Sequence, residues 1–593
     1  MILTKIESPS DLKKLSLTEL NQLSDEIRRV LIKKIDITGG HVGPNLGFLE
    51  ATIALHTVFD SPEDKIVFDV SHQCYTHKIL TGRKKYFLNE NLYENISGFT
   101  APKESKHDLF QIGHTSTGIS LATGLAKARD LQHQKFNVIA VVGDGSLTGG
   151  EALEGLDNAA VLNSNMIIIV NDNEMSIAEN HGGLYDNLRL LRQTNGTSEN
   201  NFFKAMGFTY HYVENGNNIS DLIAVLQEVK DTNHPVIVHI HTTKGYGLDV
   251  AEQHKEMFHW IMPGTIHKMQ HPSETTSPTL IQDYTSLTVD WLLTQKKTDE
   301  KLIAVTAGTP GATGFSADFR SNMGQQYLDV GICEQHAIAT ISGMAKGGVK
   351  PVFAVLSSFI QRTYDQLAQD LALNNSPATI LVYWGGLSGM DATHVGAFDI
   401  PLIINIPNIV YLAPTNAEEY QSMLDWSIKQ TKYPVAIRVP FGEVVSTGKP
   451  DTTDYNILNK YQVVEQGDTV AIIAVGNFFT QGQVVHKQLR EQFGIQATLI
   501  NPKFLTGLDT HLLNSLKMKH KLIVTLEDGV LDGGFGEKIA RYYGSSSIKV
   551  LCFGGEKEFT DRIPLSKLYE KYHLTPAHII TDIQEVLKKT NKE

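Results

Sequence analysis

Two apolar runs in this chain end in matching polar turns: Val141-Val142-Gly143-Asp144-Gly145 closes one and Val170-Asn171-Asp172-Asn173 closes the next. Consecutive Val and Ile without polar alternation mark strands buried on both faces, which belong to parallel sheets covered by helices. The pair therefore commits the chain to an open α/β architecture. It also sets Asp144 and Asn173 side by side at the carboxyl edge, where such sheets bind ligands. The interval between the runs suits one βαβ crossover. A carboxylate and a side-chain amide are hard oxygen donors, the kind magnesium takes beside phosphate oxygens and water, so the edge reads as a magnesium diphosphate site. Gly143 and Gly145 would let backbone approach such a group closely. Gly-Asp-Gly alone is also how many tight turns read; the Asn-Asp-Asn that follows lifts it above that.

With 593 residues the chain is too long for one core, and roughly 150 residues per domain suggests three or four units. A net charge of −13, spread along the sequence, argues against nucleic acid as a partner. Cys74, Cys333 and Cys552 have no metal-type spacing, so neither a disulfide framework nor a zinc site is indicated and a reducing cytoplasm is the expected location. The start, Met-Ile-Leu-Thr-Lys-Ile-Glu-Ser-Pro, lacks a basic stretch leading into an apolar one, and no run approaches the ~20 apolar residues of a membrane span. An exported or membrane-inserted chain is not expected.

Strands are expected at 138–142, 166–170 and 236–241 in a first domain, residues 1–272. The polar, Pro/Ser/Thr-rich text around 271–287 reads as a linker. A second domain, 288–447, carries strand candidates at 302–306, 351–355, 379–383 and 409–412; a third, 455–593, at 469–475, 497–500, 522–526 and 549–553. Three successive α/β domains with mainly parallel sheets is the economical reading.

A third informative segment, Asp329-Val330-Gly331-Ile332-Cys333-Glu334-Gln335-His336, lies in the second domain before a Gly/Ala-rich helical stretch. Glu334 sits among apolar and small residues, which disfavours its ionised form unless a partner takes its proton. It could equally be a helix-start carboxylate favoured by the dipole.

Together, Gly-Asp-Gly, Asn-Asp-Asn and Val-Gly-Ile-Cys-Glu-Gln-His resemble thiamine-diphosphate enzymes of the transketolase superfamily. More narrowly, the chain resembles the 1-deoxy-D-xylulose-5-phosphate synthases. The blocks that carry this are Gly39 to Gly47, Asp69 to Gln73, Gly143 to Gly149, Asn171 to Ile177, Asp329 to His336, Ser358 to Arg362, Tyr364 to Gln366 and Thr393 to Asp399. Glu527-Asp528-Gly529 and Gly533 to Gly536 extend them into the third domain. The resemblance implies a transketolase-like fold, thiamine diphosphate and magnesium, a homodimer, and pyruvate and glyceraldehyde 3-phosphate as substrates. It implies that Glu334 hydrogen-bonds the aminopyrimidine, that Asp144, Asn173 and the Met175 carbonyl bind magnesium, and that His72, Gly113, His114, Thr115, Gly145, Ser146 and Lys244 contact the cofactor. Phe359 is the candidate to pack on the pyrimidine, or else a core Phe.

Carbonyl addition needs proton donors near neutral pH, and imidazole titrates there. Of 23 histidines, His41, His259 and His394, the last with Asp391, match family positions for proton transfer and substrate orientation; His77, His181 and His336 read as structural or supporting groups.

The acceptor side departs from the family. Arg362 is present and could hold a phosphate by a bidentate fork. The family's Tyr-Pro-Arg-Gly is Val439-Pro440-Phe441-Gly442 here, with Arg438 out of register, and its Asp-Arg-Ala-Gly is Tyr383-Trp384-Gly385-Gly386. Leu356 replaces a pocket tyrosine, Asp391-Ala392-Thr393-His394 is one residue shorter than the family segment, and Leu248 replaces a cofactor-side tyrosine for which Tyr246 could substitute. Three readings follow: a synthase whose acceptor phosphate is held by Arg362, Arg438 or other groups; a related enzyme with a different aldehyde or donor; and a non-catalytic homologue, against which the intact Asp144, Asn173 and Glu334 set argues.

Overall fold

The computed structural model describes residues 1–271 and 283–590, so the centre of the expected 271–287 linker lies outside the described residues. The chain divides into two compact units, Met1–Pro278 with Gly331–Cys333 and Thr279–Val330 with Glu334–Glu593.

The first unit is built on five parallel strands, β1 (Lys65–Phe68), β2 (Val138–Gly143), β3 (Met166–Asp172), β4 (Thr209–Val213) and β5 (Pro235–His241), in the order β1-β2-β3-β5-β4. Alternate residues of the apolar runs face opposite ways. Ile139, Val141, Ile167 and Ile169 enter one core, and Val138, Ala140, Val142, Ile168 and Val170 enter the other. Burial on both faces explains why these strands read as unbroken apolar text. A further cluster gathers around the helix Leu17–Thr38, whose Leu20, Leu23, Ile27, Leu31 and Ile35 recur at helical spacing and which opens on a Ser16/Glu19 capping box.

The second unit holds two sheets. One contains β6 (Leu302–Thr306), β7 (Tyr327–Asp329), β8 (Lys350–Leu356), β9 (Thr379–Tyr383), β10 (Val410–Leu412) and β11 (Val435–Arg438), all parallel, in the order β10-β11-β9-β8-β6-β7. The other contains β12 (Gln462–Glu465), β13 (Thr469–Ala474), β14 (Thr498–Asn501), β15 (His520–Val530) and β16 (Lys549–Gly555), in the order β12-β14-β13-β15-β16, with only the edge strand β12 antiparallel. The α/β, mainly parallel architecture stands, and every expected strand is present. The sequence boundary at 447–455 separates two sheets but not two cores: Val305, Phe353, Ile380 and Val382 share one apolar cluster with Ala471, Ile473, Ile500 and Ile523. β15 also runs further than its apolar text, through Glu527-Asp528-Gly529, with a break in register between Leu526 and Val530.

No helix among the described residues is long and apolar enough to cross a membrane. None of the three cysteines is in a disulfide.

Candidate active site

The first unit bears out the geometry expected of its two polar turns. Gly143 pairs with Asn171 across β2 and β3, and the Asp144 N–H donates to the Asn171 carbonyl at 3.1 Å. The turns also touch: a Cβ on Gly145 would lie 2.7 Å from the Ser176 Cβ, so this glycine serves the approach of one turn to the other, whereas Gly143 faces open space. Asn173 is buried, and its Oδ1 accepts from the Met175 N–H at 3.2 Å. Between them Glu174 is held at φ +66°, a strained value for a non-glycine residue. The Asp172 carboxylate accepts from the Glu174 N–H at 3.1 Å and is itself gripped by Arg192 and by His239 at 3.0 Å. Lys244, fully buried, donates to the Ser176 carbonyl at 2.6 Å; burial pulls its ammonium down to about 7.

Asp144 is buried, and burial, reinforced by the Asp172 charge, pushes its carboxyl well above the usual range. Asn180 donates its amide nitrogen to Asp144 Oδ2 at 2.8 Å, while Asn180 Oδ1 is buried with no hydrogen-bond partner among the described residues. A costly carboxylate beside an unused amide oxygen fits a hard cation. Asp144, the Asn173 side chain and the Met175 carbonyl, all oxygen donors in one pair of turns, suit magnesium. Among the described residues no group of three or more His, Cys, Asp and Glu suits another metal.

Three expected histidines come together in the first unit. The ring of His41 lies 5.0 Å from His72 and 5.6 Å from His259, and His72 lies 5.3 Å from His259. Asn45 ties the cluster by donating to the carbonyls of His41 and His72, each at 2.8 Å. His259 is held well below its usual pKa by burial and by neighbouring Lys244, so it is neutral at pH 7. His72 follows two residues at positive φ, Val70 at 59° and Ser71 at 64°; the buried Ser71 hydroxyl donates to the Ile112 carbonyl at 2.8 Å and accepts from the Thr100 N–H at 2.9 Å. The segment carrying Gly113, His114 and Thr115 is secured by Asp69, which accepts from the N–H groups of Ser116 at 2.9 Å and Gly118 at 2.8 Å. Ser116 Oγ donates to the Ser146 carbonyl at 2.9 Å. Asp69 and Asn180 are the site residues that sequence reasoning missed. Asp69 lay inside a recognised block, but nothing in its spacing named its partners. Tyr246, the suggested stand-in at the cofactor side, is exposed beneath the Arg28 guanidinium, 5.2 Å from the ring centre, and Leu248 is core.

In the second unit Glu334 opens the helix Glu334–Lys346 and is buried. Burial raises its pKa and the Arg362 guanidinium, 3.5 Å away, opposes that rise. Phe359 packs edge-on to His394 at 5.7 Å, and the His394 ring sits 3.4 Å from Asp391, whose carboxyl is lowered to about 2 with His394 opposing the cost of burial. Leu356 is core, Trp384 sits at φ +57°, and Phe441 is 68% exposed.

Arg438, expected as a substrate contact, is 4% exposed, and its guanidinium donates inside the protein: Nε and Nη2 to Asp399 at 2.7 and 3.1 Å, and Nη1 to Asp528. Tyr411 also donates to Asp399, at 2.5 Å. Arg438 ends β11, three residues before Phe441, on the face whose Ala436 shares an apolar cluster with Ile523 of β15.

Three mainly parallel sheets, an acid–amide pair at the edge of the first and a buried glutamate at a helix start beside the second define a transketolase-type α/β enzyme. The family model for 1-deoxy-D-xylulose-5-phosphate synthase matches residues 3–201 and 191–242, the transketolase pyrimidine-binding domain matches 283–445, and the transketolase C-terminal domain matches 459–579. Proteins named 1-deoxy-D-xylulose-5-phosphate synthase are 38% identical in Syntrophomonas wolfei, over 98% of this chain and 96% of that one, and 38% identical in Symbiobacterium thermophilum, over 100% and 96%. The chain belongs to the 1-deoxy-D-xylulose-5-phosphate synthase family. Among solved structures, the transketolase from Leishmania mexicana aligns over 97% of this chain and 98% of its own, at 15% identity and a TM-score of 0.44.

Proposed function

We propose that the protein makes 1-deoxy-D-xylulose 5-phosphate by joining pyruvate, with loss of carbon dioxide, to D-glyceraldehyde 3-phosphate, supplying isoprenoid precursors and thiamine and pyridoxal biosynthesis. Thiamine diphosphate, held through magnesium, supplies the carbon nucleophile and the electron sink. Asp144, Asn173 and the Met175 carbonyl take the magnesium. His72, Gly113, His114, Thr115, Gly145, Ser146 and Lys244 hold the cofactor, and Lys244, poised near neutrality, gains its full charge when an anionic group arrives. Glu334 would share its proton with the aminopyrimidine nitrogen, and Phe359 would pack on that ring. His41 and His259 move protons at the reacting carbonyl. His394, steadied by Asp391, orients the acceptor, and Arg362 holds its phosphate. The working form is a homodimer in the cytoplasm. The observation that carries this reading is the buried Asp144 beside an unused amide oxygen, at a strand edge in register with the Asn-Asp-Asn turn.

A second reading, the same chemistry with a less phosphorylated aldehyde, is favoured by one finding: Arg438 is committed to Asp399 and Asp528, which leaves Arg362 as the arginine assigned to the phosphate. One experiment separates the two. Carbon dioxide release from pyruvate is followed with magnesium and thiamine diphosphate present, on adding glyceraldehyde 3-phosphate or unphosphorylated glyceraldehyde. A strong preference for the phosphate form is expected; equal or reversed preference selects the second reading, and no turnover with any aldehyde removes both.

A further inference from the structure

Asn180 lies beyond the Asn171 to Ile177 block, yet it makes the one side-chain hydrogen bond to Asp144 seen among the described residues. The loop between them is built to deliver it. Met175 bridges back to Glu179, turning the chain so that Asn180 returns to a carboxylate 36 positions earlier, and Lys244 fastens the intervening turn through the Ser176 and Ile177 carbonyls at 2.6 and 3.3 Å. Tyr185, five positions on in the helix Gly183–Gln193, donates to the Gly145 carbonyl at 3.4 Å.

The orientation of the amide follows from chemistry. Asn180 presents its NH₂ to Asp144 Oδ2 and turns its oxygen away, the orientation that a metal-bound carboxylate, which only accepts, requires. That oxygen is buried and unpartnered, and a buried acceptor left without a donor is destabilising. Magnesium keeps several of its waters when it binds through one or two carboxylates and phosphates, and those waters are strong donors. Carboxylates that ligate metals are themselves hydrogen-bonded by a surrounding set of residues that fixes their orientation.

We propose that Asn180 is a positioning residue of the magnesium site: its NH₂ locks Asp144 Oδ2, leaving Oδ1 for the metal, and its Oδ1 accepts a hydrogen bond from a water on that metal. The inference rests on the assignment of Asp144, Asn173 and Met175 as the magnesium donors.

The test is the magnesium dissociation constant of the full-length protein, measured by calorimetry at a fixed excess of thiamine diphosphate, for the unmodified chain, Asn180→Leu, Asn180→Ala and Asp144→Ala. Leu keeps the volume without a donor or acceptor and Ala empties it, so the two do not share one packing defect. Both Asn180 variants are expected to weaken magnesium about ten- to a hundredfold, with KM values for pyruvate and aldehyde unchanged at saturating magnesium and cofactor, and with an unchanged melting temperature of the metal-free protein. A magnesium constant that stays at the unmodified value in either folded Asn180 variant overturns the role, as does a fall in metal-free melting temperature with no change in that constant. Asp144→Ala is expected to lose magnesium-dependent cofactor binding; if it binds normally, the assignment of the metal site itself falls, which is distinct from failure of the Asn180 role alone.

Discussion

Two buried charges, Asp144 in the first unit and Arg438 in the second, look alike by exposure and differ in every other respect. Asp144 has one side-chain partner, Asn180, which carries an unused oxygen, and burial drives its carboxyl upward. Arg438 has two carboxylates, Asp399 and Asp528, which take three of its nitrogens. A buried ion is costly unless it is paired and hydrogen-bonded. Asp144 therefore reads as a charge kept for an incoming cation, and Arg438 as a strut between β11 and β15. Burial alone does not separate a site from a support; the completeness of the partner set does.

The strongest way to break that contrast is Asp144→Asn. It is expected to abolish magnesium-dependent cofactor binding by calorimetry while leaving the metal-free protein at least as stable to urea, because a carboxylate whose pKa is raised by burial weakens the empty fold when ionised. A clear loss of metal-free stability would make Asp144 a strut as well. Arg438→Ala should do the opposite. Leaving Asp399 and Asp528 unpaired is expected to cost about 3–5 kcal/mol in chemical denaturation, and near-normal stability would return Arg438 to the list of substrate contacts.

Glu527, next to Asp528, sharpens the picture through pH. Burial raises its carboxyl to about 7 from 4.5, against the N–H groups of Phe535 and Gly536 that favour ionisation. A folded-state pKa above the unfolded value gives a stabilisation that is full below about pH 4.5 and is lost as the pH rises through about 7. Denaturation curves between pH 5 and 8 should therefore show a decline of about 3 kcal/mol at most from this group, and Glu527→Gln should flatten it. The smallest expected effect belongs to Arg362→Ala. Loss of a charge-assisted hydrogen bond of about 1.5–3 kcal/mol should raise the KM for glyceraldehyde 3-phosphate roughly ten- to a hundredfold without moving that for unphosphorylated glyceraldehyde. An equal change for both would assign Arg362 to Glu334 rather than to phosphate.

The legible part of the site was that in which one short segment carries both the element and the chemistry. Val138 to Val142 and Ile167 to Val170 are strands because their β-branched and small apolar residues are buried on both faces of the sheet, and the Asp and Asn that follow them then had only one edge to occupy. His41, His72 and His259 were individually legible and their meeting was not, because Asn45 ties His41 to His72 and the backbone bridge between Gly40 and Ile261 brings His259 to them across more than two hundred residues. Asp69 and Asn180 act through backbone N–H groups and a carboxylate far away in sequence, and no local period records that.

The sequence by itself determined the parallel α/β class, the strands, the acid–amide edge and the family. Those depend on side-chain periodicity and on residue types that few other chemistries require. Only the tertiary structure decided which charges are consumed and which wait: that Arg438 closes on Asp399 and Asp528, and that Asn180 leaves an oxygen open beside Asp144. Pairing is a property of distance in space, and an arginine is the same letter in the sequence whether it faces a phosphate or a carboxylate.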